Sequence, residues 1–383
     1  LKILFINYHH LDGNSGVHIF NLANQFTRLG LECVVCVPFH KEATAAVGHA
    51  LFQTVELADF RRGRVATDFD LVHAWTPREV VREIAVDLLA MRSVPYLVHL
   101  EDNEEYIIES VSRIPPALLP YVPKILTPFV LPTTVAHPLR YRQFLAGAAG
   151  VTVIMESLKE FCPPATPSQV VWAGYQEDMN WDSPPDVGYK RRLGIARDEF
   201  VAVYTGNVHS SNREEVSDLY QAVGILNQRG FPIRLIRTGT DHVRLSGGNY
   251  DVIKKKYCIE LGHIPRKDLP SLLSIADVLV QPGKPGRFND YRFPSKLPEY
   301  LASGKPVILP RANIGLYLKN NEECLLLEEG DAPNIAAKLQ TLLEDKELRD
   351  RIGAGGRAFA EQNLQWSQIA IRLHAFYKSL LEP

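Results

Sequence analysis

The chain has 383 residues, of which 46% are hydrophobic and 22% charged, with a formal net charge of -2. That length exceeds one ordinary hydrophobic core and implies two domains. The near-neutral balance, with no basic domain or tail, offers no electrostatic footprint for a nucleic acid. Of the five cysteines, only Cys33 and Cys36 are close in sequence, and in "LECVVCVP" they fall on an apparent strand, where residues three apart point to opposite faces. Neither a zinc site nor a disulfide framework follows, and a reducing cytoplasm is the expected setting.

The chain enters directly into a strand-like run, "LKILFINY", so no secretory leader is expected. Strand and helix then alternate: "ILFINY", a helix around "VHIFNLANQFTRLG", "ECVVCVP", "DLVHAW", the helical "EIAVDLLAMRS", "PYLVHL" and "GVTVIM". This is the pattern of a parallel, doubly wound α/β sheet. Within it, "DFDLVH" at 68–73 matches a D-x-D metal motif but reads better as a turn into a buried strand, with Asp70 at the strand start. The most membrane-like stretch, "ALLPYVPKILTPFVLPTTVA" at 117–136, holds four prolines and a lysine. Spanning is therefore not expected, while peripheral contact through 114–138 remains open.

A segment rich in Pro, Asp and Gly, "AGYQEDMNWDSPPDVG" at 173–188, divides this half from a second of the same grammar. There "FVAVYTG", the helix "EEVSDLYQAVGILNQRG", "IRLIRTG", "CIELGHI", "LPSLLSIAD", "VLVQPG" and "PVILP" follow one another. The expected organisation is a first domain at 1–172, a hinge at 173–188, a second domain at 189–362 and a closing segment at 363–383. In such sheets ligands bind beyond the carboxyl ends of the strands, so the loops after the strands are the places to search.

After the first strand, "HHLDGNSGVHIF" sets Ser15 and Gly16 before a helix, where glycine permits close backbone approach and a helix start favours an anion. An ordinary turn explains the same glycine equally well. After "PYLVHL", the loop "HLEDNEEY" offers His99, Glu101, Asp102, Glu104 and Glu105. His99 is read as a contact for a sugar hydroxyl or phosphate, and the acids as a solvated helix start. In "YTGNVHSSNREEV", Gly206 makes the turn, Asn207 and His209 are polar candidates, and Arg213 stands at a helix start where it can neutralise phosphate. The segment around His263 and Ile264 ends a strand in a way that can hold a flat base against the backbone. Finally, "YRFPSKLPEYLASGKPVI" reads as a short helix with Ser295 as N-cap, Pro298 three residues on, and a stop at Gly304. Lys296 and the helix N-terminus would hold phosphate, and Glu299 could accept two hydrogen bonds from the neighbouring hydroxyls of a ribose.

Taken in this order, "DLVHAW", "VHL", "VVWAGYQEDMNW", "VYTGN", "LGHIPRKDLPSLLSIADVLVQP" and "PSKLPEYLASGKPVI" resemble the retaining group 1, or family 4, glycosyltransferases of the GT-B fold. The resemblance implies two Rossmann-like domains facing across a cleft, with a final helix, "WSQIAIRLHAFYKSLL", returning to the first domain. It also implies transfer of a sugar from a nucleotide diphosphate donor, expected to be a UDP-sugar, to a saccharide or lipid-linked acceptor in bacterial polysaccharide or cell-envelope glycan synthesis. Neither a cofactor nor a metal is implied. By the same likeness Ser295 and Lys296 would hold the diphosphate, Glu299 the ribose, and Gly262 to Ile264 the base, with Leu297 also at the donor nucleotide. Ser15 and Gly16 would approach the diphosphate, with Gly206 and Asn207 at the donor and His99 beside the transferred sugar. Arg213 falls where the family has a phosphate-binding lysine. Tyr291 stands where a glutamate is common, and Asn207 where an arginine is usual. A nucleotide-sugar epimerase and a non-catalytic nucleotide-sugar binder are the alternatives, and turnover separates them.

Overall fold

A computed structural model describes residues 1–181, 183–196, 198–245 and 249–382; Asp182 of the expected hinge and Pro383 of the expected closing segment lie outside the described residues. The chain divides into two units. The first comprises Leu1–Gly174, Tyr291–Phe293 and the C-terminal helix; the second comprises Tyr175–Asp290 and Pro294–Gln365.

In the first unit seven parallel strands form one sheet: β1 (Lys2–Ile6), β2 (Glu32–Val37), β3 (Gln53–Glu56), β4 (Leu71–Trp75), β5 (Tyr96–Leu100), β6 (Gly150–Val153) and β7 (Ser168–Val170), in the order β3-β2-β1-β4-β5-β6-β7. Ile3 to Ile6 are completely buried because helices cover both faces, as an all-parallel sheet requires. The helix Asn14–Arg28 packs Ile19, Leu22, Ala23 and Phe26 inward at helical spacing, and Gly30, at φ +83°, provides the left-handed turn after it. Because β1 is flanked by β2 and β4, the strand order reverses between β1 and β4, the position at which open sheets of this kind generally receive ligands. The D-x-D pair is structural: Lys2 Nζ binds Asp68 at 2.8 Å and the Lys2 N–H donates to Asp70 at 2.8 Å.

The second unit has six parallel strands: β8 (Phe200–Thr205), β9 (Ile233–Thr238), β10 (Cys258–Gly262), β11 (Val278–Val280), β12 (Val307–Pro310) and β13 (Leu325–Leu327), in the order β10-β9-β8-β11-β12-β13. Its order reverses between β8 and β11. The pattern reading missed β3, β7 and β13. All three are three or four residues long and lie at the outer part of a sheet, where a short run carries little periodicity.

The helix Trp366–Leu381 packs in the first unit along Ile369, Ala370, Leu373 and Tyr377. It approaches β6 where that strand begins with glycine: a Cβ on Gly150 would lie 2.7 Å from Leu380 Cδ1 and 3.2 Å from Phe376 Cζ. Gly150→Val should overpack this contact at a cost of about 1–3 kcal/mol. Hydrogen exchange should then accelerate in the helix Trp366–Leu381 and remain unchanged in β8 to β13; equal exchange in both proteins would contradict the packing argument.

Candidate functional site

In the second unit, polar side chains gather beyond β8 and β11. Gln281 directly follows β11, and its Oε1 accepts from Lys296 Nζ at 3.1 Å. The same ammonium lies 4.4 Å from the centre of the Tyr204 ring. Gly206 allows this approach, since a Cβ there would come within 2.9 Å of Lys296 Nζ and 2.8 Å of the Tyr204 hydroxyl. Gly239 supports the turn from below with φ +96°, and a Cβ on it would meet the Gly206 carbonyl carbon at 2.5 Å. Tyr300, completely buried, accepts from the Thr205 N–H at 2.6 Å and ties the end of β8 to the helix Leu297–Ala302.

That helix begins later than its sequence suggests. Lys296 occupies the cap position with φ -84° and ψ -20°, Pro298 falls in the first turn, and Ser295 is exposed outside the helix. The reason is a preceding turn: the Pro294 carbonyl accepts the Leu297 N–H at 3.0 Å, so this group is satisfied before the helix starts. The reading of Ser295 as N-cap is therefore corrected, and the Leu297 N–H is already committed to the backbone.

Glu299 is buried and pairs with Arg266, whose Nε donates to Gln176 Oε1 at 2.9 Å. Burial raises the Glu299 carboxyl above its ordinary range, and Arg266 opposes that rise. Arg266 lies just beyond His263 and Ile264, so the fold brings the segment assigned to a base next to the residue assigned to a ribose. His263 is exposed and Ile264 half-buried. Asn207, exposed, braces the loop after β8: its Oδ1 accepts the Thr240 N–H at 2.7 Å and its carbonyl accepts from Asn212 at 3.0 Å. His209 stacks on His242 with centroids 4.6 Å apart, and Arg213 is exposed at the first position of the helix Arg213–Gln228. Tyr291 groups with the first unit, its ring centroid 5.8 Å from that of Phe161.

In the first unit the loop after β5 differs from its reading as a solvated helix start. Glu101 is buried and accepts from Ser15 and from Trp75 Nε1, the latter at 2.7 Å, while His18 Nδ1 lies 3.1 Å away. Burial pushes this carboxyl up, but its contacts with His18 and Ser15 and the nearby His99 more than offset that and hold it down at about 2. Glu104 is also buried, 3.6 Å from Arg78 Nε, and burial lifts it to about 7 against the pull of Arg78. Ser15 is thus occupied by Glu101. Gly16 has a local cause as well: a Cβ would fall 2.4 Å from Leu11 Cα, so its missing side chain makes room for the chain's own turn. His99 is completely buried, its Nδ1 2.8 Å from Thr152 Oγ1 and its ring stacked on Trp75 at 3.9 Å. Trp75 and Thr152 thus enclose its ring, while its Nε2 has no hydrogen-bond partner among the described residues.

Two residues escaped the sequence reading. Arg78 is buried, donates to Asp102 at 3.1 Å and lies over the Tyr8 ring at 4.1 Å. Thr76, with φ +77°, is a β-branched residue in the left-handed region, and its N–H donates to the His99 carbonyl at 3.0 Å. The pre-proline position in "WTPRE" flags a backbone constraint at Thr76, but of the extended kind. Among the described residues no group of three or more His, Cys, Asp or Glu gathers in a way that could hold a metal.

These positions can be set beside known proteins. Residues 199–345 match the model described as "Glycosyl transferases group 1". Over 192 residues the chain is 23% identical to a capsular polysaccharide biosynthesis glycosyltransferase, CapM, of Staphylococcus aureus, a match covering 49% of this chain and 48% of that relative. The chain thus spans about half the length of that curated relative. Its fold is similar to that of HepE of Anabaena solved with UDP-glucose, at a TM-score of 0.72, 16% identity and 99% coverage of both chains. It is also similar to a sucrose-phosphate synthase of Thermosynechococcus elongatus, at a TM-score of 0.71, 16% identity and coverage of 99% and 98%.

Glu101 supplies a pH test. A carboxyl held near 2 in the folded chain, against 4.5 as the ordinary value, stabilises the fold above about pH 4.5, and this contribution is lost as pH falls toward 2. Glu101→Gln should therefore show a shallower fall in melting temperature between about pH 4.5 and 2 than the parent chain; identical slopes would remove Glu101 from the acid response.

Proposed function

From the premise of a group 1 glycosyltransferase domain on a GT-B fold, we propose that the chain transfers a sugar from a nucleotide diphosphate donor, a UDP-sugar, to a saccharide or lipid-linked acceptor with retention at the anomeric carbon. The observation that carries this reading is the Lys296 ammonium, held by Gln281 beside Gly206, with the Glu299 carboxylate on the short helix that follows. An ammonium suits the diphosphate, and a buried carboxylate suits the paired hydroxyls of a ribose. Arg266 competes for Glu299 and so would swing aside or share it when donor binds.

As the bond from sugar to diphosphate breaks, negative charge grows on the leaving group. Lys296 and the permanently charged Arg213 stabilise that charge, so no metal is needed in this scheme. His99 contacts the transferred sugar, and the acceptor hydroxyl attacks from the face the diphosphate leaves, passing its proton to the departing diphosphate oxygen. Water must be excluded, or hydrolysis would compete. A saccharide acceptor agrees with the polysaccharide role named for the Staphylococcus aureus relative.

A panel of UDP-, GDP-, ADP- and dTDP-sugars, scored by thermal shift and nucleotide release with and without EDTA, tests this. One UDP-sugar should stabilise the protein and turn over with EDTA present. Lys296→Ala should lower kcat by about 10²–10³-fold, and Glu299→Ala should weaken donor binding. Indifference to every donor would overturn the proposal, as would conversion of a donor to its epimer without transfer.

Among the described residues no helix is long and apolar enough to cross a membrane. The segment around the helical turns Pro116–Tyr121 and Thr127–Val130 nevertheless exposes Tyr121 (83%), Ile125 (81%) and Phe129 (70%), with exposed Lys124 among them. Bulky apolar side chains beside a cation fit the interfacial zone of an anionic bilayer, in keeping with peripheral attachment at the inner membrane face. Co-sedimentation with phosphatidylglycerol vesicles should occur and be lost in the double variant Ile125→Ser, Phe129→Ser; equal recovery in the supernatant for both proteins would refute it.

A further inference from the structure

We infer that Tyr377, Thr152 and His73 form a one-way hydrogen-bond chain that fixes His99 in the tautomer with its proton on Nε2, making it a donor to a ligand oxygen such as a sugar hydroxyl. The ligand class rests on the proposed transferase reading; the tautomer does not.

The four side chains are completely buried. Tyr377 OH lies 2.6 Å from His73 Nδ1, His73 Nε2 lies 2.9 Å from Thr152 Oγ1, and Thr152 Oγ1 lies 2.8 Å from His99 Nδ1. Burial holds the His99 ring down at about 3 and the His73 ring well below its ordinary value, so both are neutral and each carries one ring proton.

Only one arrangement of the protons leaves a single polar group unpaired. The Tyr377 hydroxyl has His73 as its hydrogen-bond partner, so its proton goes to His73 Nδ1. His73 must then carry its proton on Nε2 and donate to Thr152 Oγ1. The Thr152 hydroxyl, accepting from His73, gives its own proton to His99 Nδ1. Nδ1 is thereby an acceptor and the His99 proton sits on Nε2, the atom left without a partner among the described residues. Reversing the chain leaves the buried Tyr377 proton unpaired in addition to His99 Nε2. Letting both histidines donate to Thr152 leaves the threonine proton unpaired as well. Buried donors without acceptors are costly, so the forward direction prevails.

The arrangement gives the C-terminal helix a role at a distance. Tyr377, on Trp366–Leu381, starts a chain that crosses β4 and β6 and ends on β5. Tyr377, His73 and Thr152 are positioning residues: they set which way His99 can hydrogen-bond, and they touch no ligand.

The test is two-bond ¹H–¹⁵N correlation of the full chain labelled at histidine ring nitrogens, with the two signals assigned through His99→Gln and His73→Gln. In the parent chain, His99 should show a protonated Nε2 and an unprotonated Nδ1. Thr152→Val should convert His99 to a mixture of tautomers, whereas Thr152→Ser should retain the parental pattern. Tyr377→Phe should free the His73 tautomer and, with the preferred UDP-sugar, lower kcat about 2- to 10-fold at unchanged donor KM, the size of one hydrogen bond. A proton on His99 Nδ1 in the parent chain, or an unaltered His99 pattern in Thr152→Val, would overturn the inference. These spectra need no substrate, so failure of sugar transfer would count against the proposed function while leaving the tautomer result intact.

Discussion

Burying a carboxylate at the end of a parallel sheet forces its neighbours into a fixed arrangement, and Glu101 imposes that constraint on the first unit. An ionised group removed from water must collect hydrogen bonds or lose its charge. Glu101 collects them from Ser15, His18 and Trp75, which reach it from the first helix and from β4. Trp75 in turn stacks on His99. The residues beyond β1, β4 and β5 are thus locked through one anion, and Thr76 is held in a conformation that a β-branched residue otherwise avoids.

The second unit reaches the same end with a cation. Lys296 is drawn to the ends of β8 and β11 by Gln281 and the face of Tyr204, and Gly206 leaves it room. Tyr300 and Arg266 fix the helix that carries Glu299, one through the Thr205 backbone and the other through an ion pair. Each unit therefore presents its charge at the reversal of its strand order, where no neighbouring crossover covers the sheet end.

Much of this architecture was legible in the amino-acid order. Apolar runs such as "ILFINY" and "FVAVYT", short and bounded by turn residues, read as strands covered on both faces, and the alternation with helices implies parallel sheets. The rule that ligands bind beyond strand ends singled out Gly206 and the His263 segment, and the capped helix start singled out Lys296 and Glu299. Short outer strands such as Leu325–Leu327 escaped, since three residues show no period. The start of the helix at Leu297 escaped too, because a turn closed by the Pro294 carbonyl competes with serine capping.

What local order could not reveal was partnership across the chain. Nothing in "HLEDNEEY" distinguishes a solvated acid from a buried one; Glu101 is buried because residues 86, 83 and 26 positions away converge on it. Nor does the sequence show that Trp75 and Thr152 enclose the His99 ring. Its hydrogen-bond chain runs to a tyrosine on the last helix, Tyr377, 304 positions along the chain from His73. Periodicity and residue type act over a few neighbours and so write the strands, helices and loop chemistry into the chain. Burial, protonation and hydrogen-bond direction depend on which distant side chains meet, and that is settled when the helices pack onto the sheet.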